Sequence, residues 1–126
     1  MRLKRLIILC LTLSSAAMSF ADDFVYDNLK YTTNSDNSVT VVDGKRASGE
    51  VIIPFDVRNK NKVYVVTAIE HNAFEGNNSI TAVTIPSSVS TIGYSAFNSC
   101  KSLRRVMDAS RVTEMQGFEY TDCSNL

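Results

Sequence analysis

Hydrophobic residues recur at a fixed interval along the second half of the chain. When the sequence is aligned with itself at an offset of 23, apolar positions fall on apolar positions over successive steps. The matches are Ile69 with Ile92, Ala73-Phe74 with Ala96-Phe97, Ile80 with Leu103, Val83 with Val106, Phe97 with Tyr120, Cys100 with Cys123 and Leu103 with Leu126. Such a period predicts a solenoid, in which each repeat is one coil that buries its apolar face against the neighbouring coils.

Within one repeat, the polar and apolar positions predict short strands. Val83 and Ile85 alternate with Ala82 and Thr84, which is the period of a strand, and Pro86 ends it. The residues from 89 to 92 predict a second, shorter extended piece.

The rest of the repeat predicts one turn of helix. Ala96, Phe97 and Cys100 stand at i, i+1 and i+4, the spacing of a single helical turn that faces a core. The two patterns together predict a core made of one set of equivalent positions. Its members are Ile69, Phe74, Ile80, Val83, Ile85, Ile92, Phe97, Cys100, Leu103, Val106 and Cys123.

Upstream of the repeats, the pattern continues in altered form. Val51, Ile53, Pro54 and Val57 match the positions from Val83 to Val89 at an offset of 32, which exceeds the repeat by nine. The extra residues hold a polar run at 58–62 and a strand-like run at 63–67, which predict an inserted hairpin. Together with further strands at 24–32 and 39–42, they predict a β-rich N-terminal cap over residues 22–68, followed by repeats over 69–126.

The last repeat departs from the pattern. Asp108-Ala109 replaces Ile-Pro, Gln116 replaces a glycine and Glu119 replaces an alanine. An unpaired aspartate cannot stay buried, so we expect the backbone to leave the register between 107 and 112. The copy is degenerate or incomplete. Three explanations remain open: a fragment of a longer array, a coil that caps itself, or an end that a partner covers.

The N-terminus predicts export. Residues 1–5 are basic, 6–13 are almost wholly apolar and 14–21 are mostly small, which is the plan of a secretory signal peptide cleaved after Ala21. The apolar run is shorter than the roughly 20 residues that span a bilayer, so we expect no transmembrane segment in the mature chain. Three of the thirteen basic residues leave with the signal, and ten bases remain against thirteen acids. This balance argues against a nucleic-acid partner.

No catalytic, metal or cofactor site is predicted. The single histidine, His71, has no nucleophile or carboxylate at a diagnostic spacing, and we expect it on a solvated turn. One histidine and two mature cysteines match no zinc pattern, and the glycines are scattered. We therefore expect a protein that is not an enzyme. Asn77 begins an Asn-Asn-Ser sequon, which matters only if the source glycosylates secreted proteins.

The repeat resembles a known family. Its pattern is Ile80, Val83, Ile85-Pro86, Ile92-Gly93, Ala96-Phe97, Cys100 and Leu103. This is similar to the BspA-type leucine-rich repeats of bacterial surface proteins. The resemblance implies a strand-rich leucine-rich-repeat solenoid behind an N-terminal cap, and an adhesion role toward host proteins, matrix or other cells. It also implies that Cys100 and Cys123 are buried free thiols, although their predicted spacing permits a disulfide.

A candidate binding face follows from the outward strand positions and nearby cations. Its residues are Ala82, Thr84, Arg104, Arg105, Met107 and Arg111. They indicate either an ordinary solvated surface or a patch for an anionic glycan or an acidic protein. The first hypothesis for function is a secreted or cell-surface interaction module that binds an extracellular protein. The alternative is a glycan-binding accessory protein of a surface uptake system, but the chain lacks the cluster of exposed aromatic residues that sugar stacking would need.

Overall fold

The computed structural model describes residues 21–112 and 119–126, so most of the predicted signal peptide and Gln116 lie outside it. The described residues form nine strands and contain no helix. The strands are β1 (Asp23–Tyr26), β2 (Leu29–Thr33), β3 (Ser38–Asp43), β4 (Gly49–Ile52), β5 (Asp56–Asn59), β6 (Lys62–Ile69), β7 (Ile80–Ile85), β8 (Thr91–Ile92) and β9 (Arg105–Asp108).

Two sheets are built from alternate strands of successive coils. The first has the order β1-β2-β3-β6-β5, with β8 also paired to β6, and the second has the order β4-β7-β9. Strands of successive coils, such as β3 with β6 and β7 with β9, pair in parallel because each coil brings the chain back in the same direction. The strand-rich leucine-rich-repeat architecture expected from the sequence is therefore present.

The strand register follows the offsets seen in the sequence. β7 and β9 pair Val83 with Val106, and β6 and β8 pair Ile69 with Ile92, so both pairs keep the offset of 23. β4 and β7 pair Val51 with Val83, the separation of 32 that the upstream match indicates. The sequence predicts that the backbone leaves the register between 107 and 112. At residue 108 this prediction is wrong, because Asp108 still pairs with Ile85. Its side chain points to solvent, and Asp108 Oδ1 accepts the Ser110 N–H at 2.8 Å, so no buried charge arises.

The N-terminal strands differ in detail from the expectation. The single strand expected at 24–32 is two strands, because Asp27 and Asn28 both have positive φ, 51° and 65°, and form a tight turn between β1 and β2. Two consecutive residues of positive φ are typical of the type I′ hairpin turn, whose twist matches that of the strands. The inserted hairpin consists of β5 and β6, which pair antiparallel.

The helical turn predicted in each repeat is wrong. From Asn72 to Gly76, alternate N–H groups donate to the next coil: Asn72 to Tyr94 O, Phe74 to Ala96 O and Gly76 to Asn98 O. The intervening N–H groups bond three residues back, so no run of i to i−4 bonds can form. Left-handed residues interrupt each segment at equivalent positions, namely Asn72 and Ser95, and Gly76, Ser99 and Asp122. Each segment is thus a run of tight turns that bonds to the next coil.

The core lies between the two sheets and these turns. Of the predicted core residues, Val106 and Cys123 are partly buried and pack against the core, and all the others are buried. The aromatic rings at equivalent positions stack: Phe74 and Phe97 have ring centroids 4.8 Å apart, and Phe97 and Tyr120 have centroids 5.5 Å apart. Offset stacking at such distances adds to the stabilisation that comes from burial.

Gly44 ends this aromatic stack. A Cβ at residue 44 would lie 2.1 Å from Cε2 of Phe74. The Phe74 ring therefore packs directly on the backbone of the preceding coil, where no side chain fits. The Gly44 N–H also donates to the carbonyl of Ala73, which fixes the distance between the two coils.

The two cysteines that the structure describes, Cys100 and Cys123, are free and occupy equivalent positions. The thiol of Cys100 donates to the carbonyl of Phe74 at 3.2 Å, and that of Cys123 donates to Phe97 O at 3.0 Å. Burial raises the pKa of the Cys100 thiol to about 12, because a thiolate would lose its hydration there. Burial also raises the pKa of Cys123, which is less enclosed.

We predict that Gly44→Ala lowers the free energy of unfolding by about 1–3 kcal/mol, because the added methyl overlaps a buried ring that cannot move away. Urea denaturation measures the change. Phe74→Leu should relieve part of the overlap, so the double variant should lose less stability than the sum of the two single variants. Strict additivity would contradict the proposed contact.

We predict that stability falls as pH rises above 9. The folded pKa of Cys100 is raised from 9.0 to about 12, so its contribution is complete below pH 9 and is lost between pH 9 and pH 12. Urea titrations at pH 8, 9 and 10 measure the fall. Unfolded tyrosines, whose ordinary pKa is 10.0, ionise equally in both proteins, so Cys100→Ala should show a shallower decline than the unsubstituted protein. Equal slopes would contradict the burial of the thiol.

Candidate interaction surface

The second sheet has one side that faces solvent, which we call the outer face. Side chains alternate along its strands, so Val51, Val83 and Ile85 point into the core. The residues between them form two rows across the sheet. These rows are Glu50, Ala82 and Arg105, and Ile52, Thr84 and Met107.

One row of the outer face is apolar and exposed. Ile52 is 69% exposed and Met107 is 55% exposed, and the half-buried Thr84 lies between them. Neighbouring strands are about 4.8 Å apart, so the row spans about 10 Å. Large apolar side chains that are exposed on one face are more typical of surfaces that bind another macromolecule than apolar side chains that are exposed singly.

In the other row, the two end residues, Glu50 and Arg105, form an ion pair. Arg105 Nη2 lies 3.1 Å from Glu50 Oε2, across the strand that carries Ala82. The two long side chains lie on either side of Ala82, which is only 4% exposed. The prediction that Ala82 is an exposed binding residue is therefore wrong. Both charged side chains are largely exposed, so the pair contributes no more than about 1 kcal/mol to stability.

The three arginines of the predicted cationic patch do not act as one group. Arg105 is neutralised by Glu50. Arg104 directly precedes β9, where its N–H donates to Thr81 O, whereas Arg111 follows β9 and donates its N–H to Val89 O. Arg104 and Arg111 are exposed at opposite ends of β9. The outer face itself therefore carries one ion pair, that of Glu50 and Arg105, beside its apolar row.

Two residues of the outer face are missing from the sequence prediction, Glu50 and Ile52. The signal that could have found them is the offset of 32 that matches Val51 with Val83. At that offset Glu50 corresponds to Ala82 and Ile52 to Thr84, as the register shows. Extending the outward positions one coil upstream would have completed both rows.

Asn77 is a further residue whose role the sequence did not reveal. It occupies the position equivalent to Cys100 in the preceding repeat, but its amide does more than fill the core. Its Nδ2 donates to the carbonyls of Gly44 and Ala47, both at 2.9 Å, and its Oδ1 accepts the N–H groups of Ser79 and Ile80. Asn77 is 4% exposed, so the sequon cannot be glycosylated in the folded protein.

His71 is exposed, as expected, and has a local role. Its Nδ1 accepts the Tyr94 N–H at 2.8 Å, which joins two adjacent coils. Among the residues that the structure describes, no group of three or more histidine, cysteine or acidic side chains is placed to hold a metal ion. Within the same residues, no helix is long and apolar enough to cross a membrane.

Comparison with known proteins agrees with this geometry. The family description "BspA type Leucine rich repeat region (6 copies)" matches residues 59–126, more than half of the chain. The chain belongs to the BspA-type leucine-rich repeat family. No curated protein matches it.

Three solved structures are similar to this family member. A leucine rich cell surface protein from Faecalibacterium prausnitzii is 27% identical over 88% of the chain, with a TM-score of 0.74. Leucine-rich repeat proteins from Bacteroides capillosus and Bacteroides ovatus are 32% and 31% identical over 69% and 83% of the chain, with TM-scores of 0.64 and 0.73. The chain spans 30%, 65% and 28% of the lengths of these three proteins.

We predict that Asn77→Ala lowers the free energy of unfolding by about 2–3 kcal/mol, because backbone groups on two coils lose their partner. Thermal or urea denaturation measures the loss. Asn77→Cys, which introduces the residue found in the next coil, should be similarly destabilising because a thiol cannot reach both sides. Asn78→Ala is the matched control and should cost less than about 1 kcal/mol, since it removes one exposed bond to the Lys101 N–H. Equal losses at the two positions would contradict the bridging role.

Proposed function

We propose that the chain is an exported, non-catalytic interaction module that binds an extracellular protein through its outer face. The observation that carries the proposal is the exposed apolar row of Ile52, Thr84 and Met107. A soluble domain gains nothing in stability from large apolar side chains that remain in water, but a partner that covers them gains about 25 cal/mol for each Å² of apolar surface buried.

The organisation proposed for the full chain has three parts. Residues 1–21 form a signal peptide that is cleaved after Ala21, residues 22–68 form the cap with its inserted hairpin, and residues 69–126 form the repeats, with a period of 23. Export is supported by the N-terminal pattern and by the similarity to a cell surface protein. The strand pairs that keep this offset support the repeat length. Secretion or display at the cell surface follows, and adhesion is the role that we propose for the module.

A protein partner fits the outer face better than a glycan does. Sugar rings commonly stack on exposed aromatic side chains, and the outer face has none. In the part of the chain that the structure describes, the large exposed aromatic residues are Tyr26, Phe55 and Tyr94, and all of them lie outside the β4-β7-β9 strands. The exposed pair of Glu50 and Arg105 offers hydrogen-bond donors and acceptors beside the apolar row, the arrangement of an apolar centre with a polar rim.

The experiment uses the secreted chain against a panel of purified extracellular matrix proteins and a glycan array. We expect saturable binding to at least one protein of the panel. We expect that no glycan of the array binds through the outer face. Met107→Glu should weaken that binding by at least about tenfold, because it places a charge in the apolar row. Met107→Leu, which keeps the row apolar, should retain affinity.

Ser87→Glu is the matched control for an added negative charge, because Ser87 is exposed and lies outside the strands. It should leave the binding unchanged. Circular dichroism shows whether each variant keeps its strands. Binding that Met107→Glu and Ser87→Glu weaken equally, or binding to a glycan alone, would contradict the proposal.

A further inference from the structure

The first coil contributes one strand to each sheet, β3 to the first and β4 to the second. Another strand pairs with the outer edge of β3, but no described strand pairs with the outer edge of β4. β3 and β4 belong to the same coil, joined by the turn at 44–48. The outer edge of β3 is paired with β2, and β2 is paired with β1. Among the described strands, β4 pairs with β7 alone and is therefore an edge strand of the second sheet.

The backbone at this edge is unpaired at alternate residues. The N–H groups of Gly49 and Ile53 donate to Ser79 O and Thr84 O, so the odd-numbered residues of β4 direct their backbone groups toward β7. Those of Glu50 and Ile52 consequently point to the opposite side, where no described residue bonds to them. Edge strands commonly carry charges or proline as a protection against pairing. β4 carries one charge, Glu50, which is already paired with Arg105, and Ile52 at the same edge is 69% exposed.

The edge lies in a notch formed by the hairpin of β1 and β2. These two strands extend the first sheet by about 10 Å beyond β3, the width of two strands. Two grooves meet at the hairpin turn, and Asn28 lines both. One has a volume of about 260 Å³ and is lined by Val25, Asn28, Lys30, Asp43 and Arg46. The other, of about 60 Å³, runs along β4 and is bounded by residues 27–29, 47–48 and 50–52.

The charge beside the edge identifies the occupant. The groove along β4 carries two carboxylates, Asp27 and Glu50, and no cationic side chain. Glu50 already pairs with Arg105, whereas Asp27 has no ion pair among the described residues. A second copy of the chain that paired through β4 would bring its own Asp27 and Glu50 into the notch, which disfavours self-pairing. A segment with a basic side chain is complementary to it.

We propose that the open edge of β4 binds an extended, basic peptide segment of a partner protein by strand addition. Backbone groups of the peptide bond to those of Glu50 and Ile52, one of its apolar side chains packs on Ile52, and a lysine or arginine pairs with Asp27. In such binding, main-chain hydrogen bonds give affinity and the alternate side chains give specificity. The site uses backbone atoms at the sheet edge and goes beyond the proposed role of the outer face.

The probe is a synthetic peptide of alternating valine and threonine with a lysine at each end, long enough to span the four residues of β4. Titration followed by amide NMR should show saturable binding and slowed hydrogen exchange of the Glu50 and Ile52 amides. A peptide with glutamates at its ends should bind at least about tenfold more weakly, because it meets the carboxylates. Asp27→Asn should reduce the difference between the two peptides.

Ile52→Pro is the decisive variant. It removes an N–H that points away from β7, so the bonds between β4 and β7 remain, and proline is tolerated on an edge strand. It should weaken peptide binding by at least about tenfold, whereas Ile52→Thr, which keeps the N–H, should weaken it less. Amide shifts of β7 report whether the proline variant folds. If it does not fold, a peptide N-methylated at its pairing residues should fail to bind the unsubstituted protein.

Three results would overturn the proposal. They are no saturable binding of the lysine peptide, equal binding of that peptide to the Ile52→Pro variant, and slowed hydrogen exchange that is confined to amides outside β4. Formation of a dimer through β4 in place of peptide binding would also overturn it. Met107→Glu separates this site from the outer face, because Met107 lies on β9, at the edge of the sheet opposite to β4. That variant should bind the peptide normally even if the outer face has no partner.

Discussion

The whole molecule depends on the backbone hydrogen bonds that join one coil to the next. The chain forms no helix in its described part, so few backbone groups can be paired within one coil. Parallel strand pairs satisfy some of them, and the turn segments satisfy others by donating from Asn72, Phe74 and Gly76 to the following coil. Because buried backbone groups must be paired, the coils can stack only at one spacing and in one register.

This constraint explains why the core consists of ladders, by which we mean stacks of equivalent side chains from successive coils. A constant register places equivalent side chains directly over one another, so Phe74, Phe97 and Tyr120 stack as rings. Equal chemistry at each level is favourable for apolar and aromatic side chains and for the paired thiol-to-carbonyl bonds of Cys100 and Cys123. A ladder must also end, and here Gly44 and Asn77 end it. Gly44 makes room for the first ring, and Asn77 replaces a thiol with an amide that bonds to the turn of the preceding coil.

The two candidate binding features have different physical origins. The outer face is formed by side chains that strand alternation directs away from the core, so it extends across β4, β7 and β9. The open edge of β4 is formed by backbone groups that the next strand would ordinarily pair. Among the described residues, the hairpin of β1 and β2 covers β3, no strand covers the outer edge of β4, and a groove with two carboxylates lies beside that edge. Ile52 takes part in both features, through its side chain in one and its N–H in the other.

The sequence by itself determined the family, the strands of the repeat, the inserted hairpin and nearly all of the core. These follow from local alternation and from one constant offset, because stacked coils require equivalent residues at equivalent places. Thr84, Arg105 and Met107 of the outer face could be predicted in the same way.

Only the tertiary structure decided the rest, since each remaining feature depends on residues far apart in the chain. Ala82 is buried because Glu50 and Arg105 pair across it, and they are 55 residues apart. The turn at Ala96 and Phe97 is not helical because its carbonyls accept bonds from another coil, although its apolar spacing fits a helix. Asn77 contacts residues 30 and 33 positions away. The described edge of β4 is open because β1 and β2 extend the other sheet, beside β3. No local pattern encodes such pairings; they arise when the coils close on one another.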